Sequence, residues 1–146
     1  MKNFFFILAL LTIIGCGAKP PYKVDIHVTN TVYINTFYDI TPEAFDKGEL
    51  SYSRDTITLH DYDDAKEICK LKESIDNLHF TNEETYSLDT RGKIIFYYPE
   101  DIQIMYFDSF YMYRKKDNYY FELSKEFKKI IDDICYKRNR RKPFTI

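Results

Sequence analysis

Between residues 93 and 123, four strand-type segments follow one another with only a few residues between them. This spacing constrains the fold more than any other feature of the chain. Residues 93–98, 102–107, 110–114 and 119–123 are rich in Ile, Tyr and Phe, side chains that suit a pleated, half-buried surface. A parallel pair needs a crossover of about a dozen residues or more, so neighbours joined this closely must run antiparallel, as a meander. Pro99-Glu100-Asp101 and Lys115-Lys116-Asp117-Asn118 supply turn chemistry between them.

Upstream, residues 24–38 and 54–60 alternate β-branched or aromatic residues with polar ones and read as strands, the first either unbroken or a hairpin turning near Thr29-Asn30. Thr41-Pro42 ahead of Gly48 marks a single helical turn, with Thr as N-cap, Pro at the first helical position and Gly past the end. Residues 61–78 predict a longer helix. Asp61, Asp63 and Asp64 suit its positive N-terminus, and Ala65, Ile68, Leu71, Ile75 and Leu78 share one face. A polar loop is expected around residues 81–85, and Arg91-Gly92 reads as a bulge or turn. Ser124 caps a last helix, 125 to about 138, with Phe127, Ile130, Ile131 and Ile134 as its stripe. The economical packing of this order is an α+β domain: an antiparallel meander sheet with two helices packed on one face. There is no internal repeat.

The chain's first segment sets its location. Lys2 precedes an apolar run over residues 4–14. Eleven helical residues span about 16 Å, roughly half of a hydrocarbon core. A basic start, a short apolar core and a small residue before the break describe a secretory signal peptide. Its end, Ile13-Ile14-Gly15-Cys16, resembles the lipobox of bacterial lipoproteins, in which the peptidase cuts before a cysteine whose sulfur has been acylated. The resemblance covers about the first 16 residues and departs from the family preference where Ile13 stands in place of Leu. It implies a signal peptide over residues 1–15, diacylglycerol on Cys16 and a mature protein held on a membrane rather than spanning it. No other cofactor is expected. Gly17 is not the Asp that retains enterobacterial lipoproteins at the inner membrane, which implies the outer membrane of a bacterial envelope, with the periplasmic or surface face left open. Residues 16–22 then form a lipidated tether, loosened by Gly17 and stiffened by Pro20-Pro21. In outline the chain also resembles small lipoproteins of Bacteroidota-like bacteria, a likeness that carries no functional residue beyond Cys16.

The remaining chain is long enough for one domain, expected over residues 23–138, and its 45% hydrophobic and 18% aromatic content can bury the surface that folding requires. Five cations, Lys137, Arg138, Arg140, Arg141 and Lys142, crowd its end and leave the body acidic. Residues 139–146 read as a basic tail, either a solvated overhang or a contact for anionic lipid. An exported acidic domain is a poor fit for nucleic acid.

Chemistry-bearing motifs are sparse. His27, His60 and His79 lack the short spacings of a zinc site, and an EF-hand starting at Asp61 would need Gly and Glu where Lys66 and Lys72 stand. No nucleophile elbow or phosphate loop is present, so an enzyme is not expected. Cys69 and Cys135 adjoin the apolar stripes of the two main helices, and in an exported protein they raise the alternatives of a disulfide or two buried thiols. Tyr97, Tyr106, Tyr111, Tyr113 and Tyr120 fall within the meander, and with Phe110 and Met112 toward the helices, Tyr111 and Tyr113 face away. A tyrosine-bearing sheet face is either a binding platform for a protein partner or cross-strand pairing that stabilises the sheet. The expected function is a membrane-anchored protein-binding module. Its alternatives are an immunity or inhibitor lipoprotein, an envelope structural component and a small-ligand carrier.

Overall fold

The computed structural model describes residues 19–29, 40–48, 54–81, 86–138, 140 and 142–144. Cys16, the signal-type segment and the predicted strand beyond Thr29 lie outside these residues. The described chain is an α+β fold built on a seven-stranded sheet: β1 (Lys23–Thr29), β2 (Arg54–His60), β3 (His79–Thr81), β4 (Gly92–Tyr97), β5 (Ile102–Phe107), β6 (Tyr111–Arg114) and β7 (Tyr119–Glu122). Their order is β2-β1-β4-β5-β6-β7-β3, and every neighbouring pair is antiparallel. The meander expected from the short connections forms β4 to β7. The sheet extends past it on both sides: β1 docks beside β4 and carries β2 outside it, and β3 closes the far edge against β7. The loop expected after residue 80 therefore begins later than its polarity implied, because Phe80 and Thr81 pair with Phe121 and Tyr120.

Two helices, α2 (Asp61–Asp76) and α3 (Lys125–Lys137), cover one face. Val24, Ile26, Val28, Ile94, Met105, Phe107 and Met112 meet Ile68, Leu71, Ile75, Phe127, Ile131 and Ile134 there in one apolar cluster. The start of α2 differs from the periodic expectation. Asp64, at φ −121° and ψ 21°, kinks the first turn and is buried, whereas Ala65 is exposed. Its carboxylate accepts the His60 amide (3.3 Å) and the Arg138 guanidinium, tying the start of α2 to the end of α3. Lys137 and Glu67 pair beside it. The third helix, α1 (Pro42–Lys47), is capped as its sequence implies, by Thr41 on the Ala44 amide (3.2 Å) and by Gly48 in the left-handed region at φ 66°.

Two expectations are corrected. Gly92 is neither turn nor bulge: it opens β4, paired with Val28 and Phe107. A Cβ there would lie 2.6 and 2.7 Å from two carbons of the Phe107 ring, so the ring occupies the space a side chain would need. The described part of the basic tail folds back instead of projecting. The Arg140 amide bonds the Cys135 carbonyl (2.8 Å), and Phe144 is 5% exposed in the main core. Of the two alternatives raised for Cys69 and Cys135, the structure has the free thiols: Cys135 belongs to the apolar cluster, and Cys69 sits half-buried one position past the core-facing Ile68. Burial, helped by the charges of Asp132 and Asp55, pushes the Cys135 thiol up to about 12. A thiol so buried and protonated is inert. Native protein is expected to expose one maleimide-reactive thiol from this pair, Cys69, with Cys135 reacting only after denaturation. Mass spectrometry of labelled peptides reads both.

Candidate functional site

Side chains alternate along each strand, so the register assigns the far face of the sheet directly. Tyr97, Tyr106, Tyr111, Tyr113 and Tyr120 all share it, as the period-two reading required. Tyr106, Tyr113 and Tyr120 stand opposite one another on three successive strands. Their ring centroids are 6.2 and 5.1 Å apart, within the range of favourable aromatic contact. The row continues through Lys93 and His27 to Thr56. Tyr97, four residues along β4 from Lys93, stands apart from this ladder, beside Tyr22 and under the Lys23 ammonium, 4.6 Å from the ring centre.

One residue joins the ladder without any signal in its own neighbourhood. Tyr86 packs 4.2 Å from Tyr111 and 6.3 Å from Tyr120, and its hydroxyl donates to Asp108. The buried Asp108 carboxylate also accepts the amides of Phe110 (2.6 Å) and Tyr111 (2.7 Å), which shapes the β5–β6 turn.

Tyr106 is the one ladder member removed from the surface, at 1% exposed. The short helix α1 lies over it: the Tyr106 hydroxyl donates to Asp46 (2.6 Å), and the Lys93 ammonium reaches the other carboxylate oxygen (2.6 Å). Ile40, Phe45 and Leu88 are buried outside the main cluster. Burial pushes the Asp46 carboxyl up, but the bonds from Lys93 and Tyr106 outweigh it and hold the group below its ordinary value. Burial, and next the Asp46 carboxylate, raise Tyr106 well above the ordinary phenol. Tyr113 and Tyr120 are raised as well, first by burial. His27 is lowered by burial and by the neighbouring Lys93 charge, with its Nδ1 3.0 Å from the Thr56 hydroxyl.

The Asp46 latch carries a pH signature. A carboxyl lowered on folding contributes stability that is complete above its unfolded value near 3.8 and is lost as pH falls through the lower folded value. Acidification below about pH 4 is therefore expected to loosen α1, with hydrogen exchange rising first in residues 42–47, and Asp46→Asn should flatten that dependence. Tyr106→Phe should cost about 1 kcal/mol in urea unfolding, the net worth of one buried hydrogen bond.

What remains accessible is the outer face beyond α1. Tyr111, Tyr113 and Tyr120 are half-buried there, as are Ile95 and Ile104 in the centre of the sheet. Rings and aliphatic side chains lie beside charged groups such as the Lys23–Asp25 pair (2.9 Å). Among the described residues no group of three or more His, Cys, Asp or Glu is placed to hold a metal ion. A shallow groove of about 210 Å³ lies between Asn77–His79 and Glu122–Ser124, below the roughly 300–1,000 Å³ typical of small-molecule sites. Comparison with protein-family models, curated proteins and solved structures found no match to this chain.

Proposed function

We propose that this chain is a lipid-anchored binding module of a bacterial envelope that takes a protein partner on the outer face of its sheet. The anchor rests on the Gly15-Cys16 lipobox pattern, and no described helix is long and apolar enough to cross a membrane. The binding role rests on one observation: the two large helices lie on one face, while the other carries half-buried Tyr111, Tyr113 and Tyr120 beside Ile95 and Ile104, and among the described residues α1 lies over the Tyr106 end and Tyr86 against Tyr111 and Tyr120. Tyr offers wide, rigid, amphipathic contact area at a low cost in side-chain entropy, which suits protein recognition.

Two measurements separate the parts of this reading. Intact mass should place diacylglycerol on Cys16, and Cys16→Ser should leave the membrane fraction; a variant that stays mature and membrane-bound contradicts the anchor. For the partner, protein purified from gently solubilised membranes should carry one companion at near-equal amount. The exposed-face variant Ile104→Lys with Tyr113→Ser should lose that companion while keeping its circular dichroism and melting profile. A companion retained by the variant would move the binding surface elsewhere.

A further inference from the structure

The chain's tether and most of its exposed aromatic surface lie at the same end of the sheet. β1 begins there at Lys23, opposite His60 of β2 and Tyr97 of β4. The Tyr22 carbonyl accepts the Asp61 amide (3.1 Å), so α2 also starts at this end. α3 finishes there, as the Lys137–Glu67 and Arg138–Asp64 pairs require. Ile102 opens β5 opposite Tyr97, and Tyr119 opens β7 opposite Arg114.

Seven large hydrophobic side chains are recorded as exposed among the described residues, and five of them sit on this rim: Tyr22, Tyr62, Ile102, Tyr119 and Tyr136. Tyr62 and Tyr136, at 75% and 74%, are the most exposed of all. Nothing in the core explains that bias. The sixth, Phe110, is at the opposite end in the β5–β6 turn, and Phe80 lies mid-strand in β3.

We infer that this rim rests on the lipid bilayer, with its tyrosines at the level of the headgroups. The inference depends on the anchor proposed above, whose geometry leaves little freedom. Three peptide links, through Gly17 and Ala18, connect Cys16 to Lys19, a reach of at most about 11 Å, and Pro20-Pro21 resists folding back. Tyrosine is suited to that interface, with its ring toward the acyl chains and its hydroxyl toward water. The contact is aromatic rather than electrostatic in its main part, because three of the rim's cations already face carboxylates: Lys116 meets Asp101 (2.8 Å), Lys137 meets Glu67, and Arg138 meets Asp64. The Lys142 ammonium lies 5.6 Å from the Tyr136 ring centre, placed to remain at the water side of the ring. With the rim down, the strands rise from the membrane and the outer sheet face is presented sideways to a partner.

The test uses the full lipidated chain in phosphatidylcholine nanodiscs doped with headgroup-spin-labelled lipid. Fluorinated tyrosine is placed at position 62, at 136, or at 110 as the far-end control. Fluorine relaxation at 62 and 136 should exceed that at 110 at least fivefold, and the excess should persist in 1 M salt. Equal relaxation at all three positions in a chain whose mass shows the lipid overturns the inference and leaves the anchor intact. An excess abolished by salt overturns the aromatic account of the contact. A chain that carries no lipid and is not retained by the discs overturns the anchor, and the rim's orientation with it.

Discussion

Gly92→Ala should destabilise the protein by about 3 kcal/mol, the upper end of what overpacking a tight core costs. The reason is the opposed pair Gly92–Phe107, where β4 begins and β5 ends on the helix-covered face. An added methyl meets the Phe107 ring, and that ring has nowhere to go: Phe127 packs edge-on at 5.7 Å, and Phe144 lies at 5.7 Å on another side. The prediction separates packing from backbone freedom, because Gly92 lies in regular strand pairing. Phe107→Leu in the Gly92→Ala background should recover part of the loss by vacating the ring's space, whereas a purely conformational cost would not be rescued. Chemical denaturation of the four variants gives the coupling directly.

Phe144→Ala should cost about 3–5 kcal/mol, the range for deleting a buried phenylalanine. Such a loss contradicts the reading of residues 139–146 as an overhang. Phe144 is buried against Phe107 and Phe127, and its amide bonds the Asp132 carboxylate (3.3 Å). Burial keeps that carboxyl above its ordinary value, against the Phe144 amide, so the tail closes over an acidic group as well as an apolar one. A stop codon after Arg138 should be at least as damaging as the point substitution. A melting curve unchanged by either variant would return the tail to solvent.

These two sites show where sequence reading succeeds and where it stops. Strands β2 and β5 begin and end where alternation and the flanking turn residues place them, because that information is local. The shared face of Tyr111 and Tyr113 is equally local, since a period of two decides it, while the register adds Tyr97, Tyr106 and Tyr120 to that face. The position of β1 between β2 and β4 is not, because pairing between distant strands is settled by packing that no window contains. β3 is three residues long, too short for periodicity to register. Phe144 is a lone aromatic among cations, and only the room left beside Phe107 makes it a core residue. Tyr106 looks like its neighbours in sequence; its burial comes from Asp46, sixty positions away. Tyr86 lies outside every patterned segment, yet it completes the aromatic cluster through Tyr111. The proposed Cys16 anchor, by contrast, rests on a linear pattern alone, Ile13-Ile14-Gly15-Cys16.

The two proposals assign different surfaces to one small domain, the rim to lipid and the outer sheet face to a protein partner. The most direct test of that division is photo-crosslinking in living cells, with a photoreactive residue in place of Tyr113 on the outer face or of Lys129 on the exposed side of α3. One recurrent protein adduct from position 113, absent from position 129, is the expected result. Adducts of the same identity and yield from both positions, or from 129 alone, would contradict the assignment of the outer face as the binding surface.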